Sequence, residues 1–505
     1  MEALHLIAIF LLSSLLLKLF FLTSKPKHTA KLPPSPPFLP IIGHLHLLKK
    51  PLHHSLSLLS ARYGPILYLR FGYRPTLVIS SPQLAEECFT TNDVAFANRP
   101  SFPSVKEVTN NFSTLIFSDY GPLWRHLRKI ATVQVLSNHR LLSSTSARND
   151  EARYLVHRLF VRSADDKSAF QKVNVKVIAF EFVLNVVMGM IAGKRYYGEE
   201  AKDWEEARRF RQMTEETLAL APGSRLMDFF PWLRLVDSIS SLRQLKSVVK
   251  KRTEFSQRLI DEIRKGIDAQ KKKTMIGDLL GLQDREPEGY NDDLIRTLSL
   301  SLLQAGTETS SNTIEWAMSL LLNNPHVLAK AQHEIHTVVG RDRLLEESDV
   351  PSLPYLQAII NETLRLHPAT PLNVPHESAA ECIIGGYKIP KGATLLINIH
   401  AIHRDPSIWK DPTEFKPERF GNGKAEGLLL LPFGMGRRKC PGEGLAMKMI
   451  SLALGTLIQC FEWERIGAEE VDMTVGSSGI AIGKAVRLEA MYRPRPEMVP
   501  LLVGL

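Results

Sequence analysis

The sequence predicts a mainly α-helical protein with a small β portion. Between residues 124 and 366, apolar side chains recur mostly at helical spacing, and polar loops interrupt them. Strand-like runs occur at residues 66–71 and 76–80 near the N-terminus, and at residues 393–398 and 476–492 late in the chain. Neither a repeat nor a shift in composition divides the chain, so one main domain is expected.

The first 24 residues are expected to form a transmembrane anchor. Residues 3–22 are nearly all apolar, and a helix of about 20 residues spans about 30 Å, the thickness of the hydrocarbon core. Lysines follow this run at positions 25, 27 and 31, which places the remainder of the chain on the cytosolic side. Without an Ala-x-Ala-like cleavage sequence, a retained anchor is favoured over a signal peptide.

A basic, proline-rich hinge is expected at residues 25–42, between the anchor and the main domain. Five of the nine residues from 32 to 40 are prolines, which exclude helix and favour an extended polyproline conformation. The hinge would hold the body at a set angle to the membrane. Residues 43–505 are then expected to form the catalytic domain.

The charge and the cysteines restrict the class of protein. The formal net charge is +10, which favours solubility or attraction to an anionic membrane or an acidic redox partner. No lysine-rich tract indicates a nucleic-acid partner. The four cysteines form neither a disulfide framework nor a zinc pattern, which fits a reducing, cytosol-facing environment.

An apolar patch at residues 226–233 lies between two arginines. Such a patch fits contact with a membrane surface, and it fits ordinary core packing equally well. The sequence leaves both interpretations open.

The most informative motif is the glycine-rich stretch from residue 432 to residue 442, which reads Pro-Phe-Gly-Met-Gly-Arg-Arg-Lys-Cys-Pro-Gly. Cys440 directly precedes Pro441, a residue suited to the first position of a helix. Backbone N–H groups at a helix N-terminus would stabilise a thiolate there. Glycines let the loop lie against a large flat group, and Arg438 offers a cation to an anionic edge. This combination suits a haem iron ligated by a thiolate.

A second motif interrupts the apolar helix expected at residues 294–323. It reads Ala-Gly-Thr-Glu-Thr-Ser from Ala305 to Ser310. The glycine removes bulk so that a flat ligand can pack there, and a threonine hydroxyl can bond back to a helical carbonyl and admit water. Ala305 and Thr309 share one helical face. Alone, the motif would describe a buried threonine-rich helix.

Two further pairs become informative only beside Cys440. Glu362 and Arg365 are three residues apart on one predicted helix, a spacing that permits an ion pair. Trp124 and Arg128 are four residues apart on another, and arginine recognises carboxylates through a fork of donors. Without the cysteine motif, both would describe ordinary solvated helix faces.

Several histidines invite a metal interpretation, among them His44, His46, His400 and His403. Nothing near them in the sequence completes a set of ligands. We therefore expect surface or capping roles for these side chains.

Taken together, the motifs resemble those of cytochrome P-450 monooxygenases, and the resemblance extends from the anchor to the last strands. Residues 43–48 and 92–100 narrow it to plant microsomal A-type enzymes of family eighty-one, a group that includes isoflavone hydroxylases. The resemblance implies the cytochrome P-450 fold: a single haem domain with an N-terminal membrane anchor. It also implies heme b bound by a cysteine thiolate, electrons from NADPH–cytochrome P-450 reductase, and a single-pass location in the endoplasmic reticulum membrane with the catalytic domain in the cytosol.

The resemblance also implies roles for individual residues. Cys440 would ligate the iron, while Thr309 and Glu308 would deliver protons during dioxygen activation; the family often has Asp in place of this Glu. The remaining cofactor contacts would be Trp124, Arg128, His376, Phe433 and Arg438. The substrate contacts would be Phe112, Leu302, Ala305, Leu372, Val374 and Ile480. A buried supporting network would comprise Glu362, Arg365 and Arg419.

The resulting expectation is oxidation of a small lipophilic plant metabolite, with phenolics of the flavonoid, lignan or benzophenone type favoured, by hydroxylation or oxidative ring closure. No Gly-x-Gly-x-x-Gly follows a strand, so electrons are expected from a separate protein. Two alternatives remain: a reductase-independent haem isomerase or lyase, and a membrane haem protein that binds ligands without turnover. Thr309 and Glu308 argue against a peroxide-rearranging enzyme, which needs no dioxygen activation.

Overall fold

Helices make up most of the protein: 55% of it is helix and 10% is strand, which confirms the predicted mainly-α class. The computed structural model describes residues 31–163, 167–198, 204–219, 223, 225–230, 232–233, 239–266, 274–421, 430–477 and 479–505. The expected anchor at residues 1–24 and the first part of the hinge lie outside the described residues.

The helices follow one another with short connections. In chain order they are α1 Leu52–Tyr63, α2 Pro82–Phe89, α3 Pro103–Val108, α4 Pro122–Ile130, α5 Asn138–Ser143, α6 Thr145–Arg162, α7 Val175–Ala192, α8 Trp204–Ala219, α9 Leu226–Phe229, α10 Ile239–Lys265, α11 Met275–Gln283, α12 Asp292–Asn323, α13 Pro325–Val338, α14 Pro354–Leu366, α15 Ile399–Ile402, α16 Glu443–Cys460 and α17 Val499–Val503. A π-helical turn, Ala131–Val135, extends α4, and 3₁₀ turns occur at Leu45–Leu47, Glu347–Ser352, Pro417–Phe420, Gly436–Arg438 and Pro496–Met498.

The strands form three small sheets. They are β1 Ile66–Phe71, β2 Arg74–Ile79, β3 Gln171–Asn174, β4 His376–Glu377, β5 Cys382–Ile384, β6 Tyr387–Ile389, β7 Thr394–Ile397, β8 Phe461–Glu464 and β9 Glu489–Pro494. One sheet has the order β1-β2-β7-β4, another has the order β3-β9-β8, and β5 pairs with β6. Because β2 and β7 run parallel, the N-terminal hairpin is joined to a segment more than 300 positions later.

The core forms where α7 and α12 pack against each other and against α6 and α16. Local sequence sets the ends of α12: the Asn291 side chain accepts the Leu294 N–H, two aspartates occupy the first turn, and Pro325 follows the last residues. At the end of α7, Gly193 adopts a left-handed conformation with φ of 67°, which glycine tolerates best. Helices α7 and α12 both contribute residues to the wall of the cavity that forms the candidate active site.

The predicted boundaries agree closely with α12, β1 and β7, but two predictions need correction. Residues 171–174 form β3 inside a region predicted to be helical, because β9 supplies the partner strand from the far end of the chain. The predicted strand pairs at residues 476–492 reduce to β9 and an isolated bridge between Val475 and Lys484. Both differences depend on long-range pairing, which local patterns do not reveal.

Among the described residues, one helix, α7, is long and apolar enough to cross a membrane. Of its most apolar stretch, 78% is buried within the protein, so its composition is accounted for by core packing. The apolar patch at residues 226–233 fits core packing in part and membrane contact in part. Met227 and Phe230 are buried, whereas Leu226 and Trp232 are exposed.

Two of the histidines for which we expected surface or capping roles, His44 and His403, are buried. His44 accepts the Arg70 N–H at Nδ1 over 2.8 Å, and its Nε2 lies 2.9 Å from the Pro36 carbonyl oxygen. His403 accepts the Leu431 N–H at Nε2, and its Nδ1 lies 3.1 Å from the Arg365 carbonyl oxygen. Both satisfy backbone groups of irregular segments, which is a structural role.

Candidate active site

A deep, mostly apolar cavity lies beside the middle of α12, and Cys440 forms part of its wall. The other walls come from α4, α7, the segment after α14 and the start of α16. Ala305 is exposed although α12 runs through the core, because the cavity opens beside it. The structure therefore brings the two principal motifs, which are 135 positions apart from Ala305 to Cys440, to one space.

The cysteine loop is fixed by its own backbone. The Cys440 N–H donates to the Phe433 carbonyl oxygen over 2.9 Å. Gly436 has φ of +68°, and a Cβ there would lie 2.9 Å from the Phe89 carbonyl oxygen at the end of α2. This glycine therefore permits close packing of the loop against the end of α2. Helix α16 begins at Glu443, so Pro441 lies in the preceding turn and not at the first helical position.

The Cys440 thiol has competing electrostatic surroundings. Burial raises its pKa, whereas hydrogen bonds from the backbone of Gly442 and Glu443 and the charge of Arg128 act in the opposite direction. The N–H groups that the sequence predicts are thus in place, but desolvation is the larger effect. A metal cation bound at the sulfur would add the positive charge that a thiolate needs.

Two arginines, Arg438 and Arg128, line one end of the cavity, and neither forms an ion pair with a carboxylate in the described part of the chain. Arg438 donates from Nε to the Ala97 carbonyl oxygen over 2.7 Å and from Nη2 to that of Ser118 over 2.5 Å. Its Nη1 is buried and has no hydrogen-bond partner among the described residues. Arg128 also lines the cavity, and burial lowers its pKa. A buried donor without an acceptor fits an anionic ligand group such as a propionate.

The other predicted cofactor contacts divide into two groups. Trp124 and Phe433 line the cavity, and the Arg438 guanidinium lies 4.6 Å from the Trp124 ring centroid. His376 is buried with its Nδ1 2.8 Å from the Phe96 carbonyl oxygen, and it is not part of the wall formed by the described residues. Its neighbours are Arg99 and Arg438, whose charges reinforce the effect of burial in lowering its pKa.

On α12, Ala305, Gly306 and Thr309 face the cavity. The Thr309 hydroxyl donates to the Ala305 carbonyl oxygen over 2.7 Å, which is the back-bond expected from the sequence. A Cβ at Gly306 would contact Val187 of α7 at 3.4 Å. The glycine therefore also serves the close approach of α7 and α12.

Glu308 points away from the cavity wall formed by the described residues. Its Oε1 accepts from Lys176 Nζ over 3.0 Å, and Lys176 is 1% exposed. The same ammonium group donates to Ser311 Oγ over 2.7 Å and to Asn312 Oδ1 over 2.5 Å. All three N–H donors of Lys176 are thus engaged, and Glu308 is held in a buried ion pair that joins α12 to α7.

The predicted substrate contacts also divide. Leu302, Ala305 and Val374 line the cavity. Phe112, Leu372 and Ile480 are not part of the wall that the described residues form. Leu372 packs instead with the apolar cluster of the N-terminal sheet, and Phe112 follows two asparagines in a left-handed turn with φ of 62°. The turn after Ile480 reaches the segment after α14 through a bond from Ile482 N–H to the Ala369 carbonyl oxygen over 2.8 Å.

Sequence reasoning missed part of the wall. Val187, Met190 and Ile191 of α7 line the cavity. Helix α7 is apolar on nearly every face, so no periodicity distinguishes a cavity-facing residue from a core residue.

The structure brings Glu362, Arg365 and Arg419 together. The Arg365 guanidinium donates to both Glu362 carboxylate oxygens, over 2.6 and 2.8 Å. Arg419 Nε donates to Glu362 Oε1 over 3.1 Å. Arg365 also donates to three backbone carbonyl oxygens, those of His403, Pro412 and Glu414. The network joins α14 to the loop that leads towards Cys440.

Comparison with known proteins agrees with this geometry. The family model for cytochrome P450 matches residues 33–485. The (+)-piperitol/(+)-sesamin synthase CYP81Q2 of Sesamum radiatum is 49% identical over 475 residues, 94% of this chain and 92% of that enzyme. An isoflavone 2'-hydroxylase of Glycyrrhiza echinata is 45% identical over 98% of both chains. An isoflavone 3'-hydroxylase of Medicago truncatula is 45% identical over 92% of this chain and 93% of that enzyme.

The chain belongs to the cytochrome P450 family, and it is a haem-dependent monooxygenase whose cofactor iron is bound by a cysteine thiolate. Within that family it is similar to the plant CYP81 enzymes, among them the isoflavone hydroxylases.

Proposed function

We propose that this chain oxidises a flat, largely apolar phenolic metabolite of plants, of the isoflavonoid, lignan or benzophenone type, and that Cys440 is its iron ligand. The observation that carries the proposal is the position of Cys440 in the wall of an apolar cavity that also contains Ala305 and Thr309. When bound, the haem supplies the activation of dioxygen.

The residues at the basic end of the cavity would hold the cofactor. Arg438 offers a buried N–H without a partner among the described residues, and Arg128 adds a second guanidinium. Trp124 packs against Arg438 and fixes its direction. In this proposal His376 is a positioning residue, because it lies beside Arg438 behind the wall.

Thr309 would manage a proton at its Oγ1. The hydroxyl donates to the Ala305 carbonyl oxygen, which leaves its lone pairs free to accept from a water in the cavity. Glu308 can contribute a proton only after its carboxylate leaves Lys176 and turns towards Thr309. We therefore assign proton delivery to both residues, with release from Lys176 as a condition for Glu308.

The apolar wall would exclude water and orient the substrate. Leu302, Ile116 and Val374 line it from three separate segments, and Met190 and Ile191 close it from α7. Few polar groups face this space, which suits a flat aromatic body better than a sugar or an acid. Small changes in orientation decide which carbon is oxidised.

We also propose that NADPH–cytochrome P450 reductase supplies the electrons and that residues 1–24 anchor the enzyme in the endoplasmic reticulum membrane. Support for the docking site comes from Arg125 and Lys129, exposed cations of the helix α4 that also carries Trp124 and Arg128, and from the exposed Lys439 of the cysteine loop, which pairs with Glu443 over 2.7 Å. A positive surface there would attract an acidic redox partner, and the attraction would weaken with salt.

The test is a spectral-shift titration of the membrane-bound holoenzyme with isoflavones, lignans and benzophenones, followed by turnover with the reductase and determination of the product structures. We expect a shift in the haem spectrum and reductase-dependent NADPH consumption coupled to product for one class. The panel includes lignans because of the sesamin synthase and isoflavones because of the hydroxylases. Binding without any reductase-dependent product would refute the catalytic proposal.

A further inference from the structure

Three histidines from distant parts of the sequence meet outside the active site. His53 and His54 lie on α1, and His400 lies on α15. One ring nitrogen of each lies within 4.8 Å of those of the other two. The three ring centroids are 4.5, 4.7 and 4.6 Å apart. Local sequence does not predict this cluster, because His400 lies far along the chain from His53 and His54.

The spacing is close to that of three imidazoles around one metal ion. With zinc–nitrogen bonds of about 2.0–2.1 Å, the centroids of three bound rings lie about 5 Å apart, and their nitrogens about 3.3 Å apart. The rings are therefore at the right separation, and the nitrogens need to close by roughly 1.5 Å at most, which side-chain rotations can provide.

A hydrogen-bond relay orients His400. The Ser57 hydroxyl donates to the His53 carbonyl oxygen over 2.8 Å. Its oxygen therefore accepts from His400 Nδ1, which is 3.3 Å away, and the His400 Nε2 lone pair is left free. An outer partner that fixes the tautomer in this way is typical of metal-binding histidines. The Asn398 amide, 3.1 Å from Ser57 Oγ, holds α15 against α1.

His53 provides an independent indication. Its side chain is buried, at 1% exposure, and its Nδ1 has no hydrogen-bond partner among the described residues. A buried ring nitrogen without a partner is costly unless a ligand satisfies it. His54 is exposed, so an ion has a route from solvent and a water molecule can complete the coordination.

We propose that His53, His54 and His400 bind a divalent transition-metal ion such as Zn²⁺, which ties α1 to α15 at a site separate from the haem. Three imidazole ligands with one open position suit Zn²⁺. Arg404 repels a cation, and we therefore expect moderate affinity.

The test uses the full-length holoenzyme, purified without a polyhistidine tag and treated with a chelator. After dialysis against Zn²⁺, elemental analysis gives the ratio of zinc to haem iron, which counts the sites. We expect one zinc per iron, and a zinc X-ray absorption spectrum that shows imidazole nitrogens at about 2.0 Å from the zinc. The exposed His54→Ala is the main variant, His400→Ala is the second, and the exposed His139→Ala is the matched control.

Loss of His54 or His400 should weaken zinc binding by at least about 10- to 100-fold. That is the range found when a hydrogen-bond partner of a metal ligand is removed, and loss of the ligand itself should cost no less. His139→Ala should bind as the unchanged enzyme does. Because His54 is exposed, its variant should keep the haem spectrum, which separates loss of the site from loss of folding. No zinc above background in the unchanged enzyme, or equal binding by all variants, would overturn the proposal.

Discussion

Replacing Thr309 with alanine should leave folding and haem loading intact but divert electrons from product into hydrogen peroxide. The hydroxyl makes one local bond, to the Ala305 carbonyl oxygen over 2.7 Å. That oxygen keeps its helical partner in the variant, so no buried group loses its only bond. We expect a change in the free energy of unfolding below about 1 kcal/mol. Positioned proton transfer contributes about 10²–10⁴-fold in rate, which sets the largest loss of product formation.

The assay measures three quantities in the reconstituted system: NADPH consumed, hydrogen peroxide released and product formed. Thr307→Ala is a matched control. Thr307 lies two positions away on α12 and makes the same kind of back-bond, to the Leu303 carbonyl oxygen over 2.7 Å, but it is buried and outside the cavity wall formed by the described residues. We expect normal coupling in this control.

Two outcomes would refute the assigned role of Thr309. One is an unchanged ratio of product to NADPH in Thr309→Ala. The other is equal uncoupling in Thr307→Ala, which would indicate that the helix backbone matters and the cavity-facing hydroxyl does not. Loss of the haem spectrum in Thr309→Ala alone would show that the residue is structural.

Three other predictions test the ligand, the support network and the cavity wall. Cys440→Ser should abolish the thiolate-type Soret band of the reduced carbonyl complex; a retained band would contradict the ligand assignment. Arg365→Ala should lower the free energy of unfolding by about 3–5 kcal/mol, because it leaves a fully buried carboxylate with fewer partners. In urea unfolding, the exposed Arg343→Ala control should lose less than about 1 kcal/mol, and similar losses in both would refute the reasoning. Val374→Ala should change the product ratio, whereas Leu372→Ala should not, because only Val374 lines the cavity; product profiles that respond equally would contradict this division.

The sequence was sufficient for those parts of the site that depend on local spacing. Thr309 and Ala305 are one turn apart, so their shared face and their back-bond follow from helical geometry. The pairing of Glu362 with Arg365 is equally local. Conversely, the partner of Glu308 could not be foreseen, because Lys176 lies 132 positions earlier, at the start of another helix, and no local pattern links the two residues.

Predicted substrate contacts that do not line the cavity also depend on distant parts of the chain, as Leu372 illustrates. Prolines 368 and 371 do end helix α14 and turn the chain towards the cavity, as the sequence indicates. They do not determine which side chain faces inward. Leu372 packs against the apolar cluster of the N-terminal sheet, while Val374, two positions later, lines the cavity.

We propose that selectivity in this enzyme depends on residues of α7 whose sequence pattern is that of a core helix. Helix α7 contributes Val187, Met190 and Ile191 to the wall, and any of them could become another apolar residue without loss of helix or burial. A fold of this kind can therefore change its substrate while its motifs stay the same. Relatives at 49% and 45% identity carry the names of a (+)-piperitol/(+)-sesamin synthase and of an isoflavone 2'-hydroxylase. We therefore predict that substitutions at Val187, Met190 and Ile191 change the substrate that the enzyme accepts before they affect haem binding.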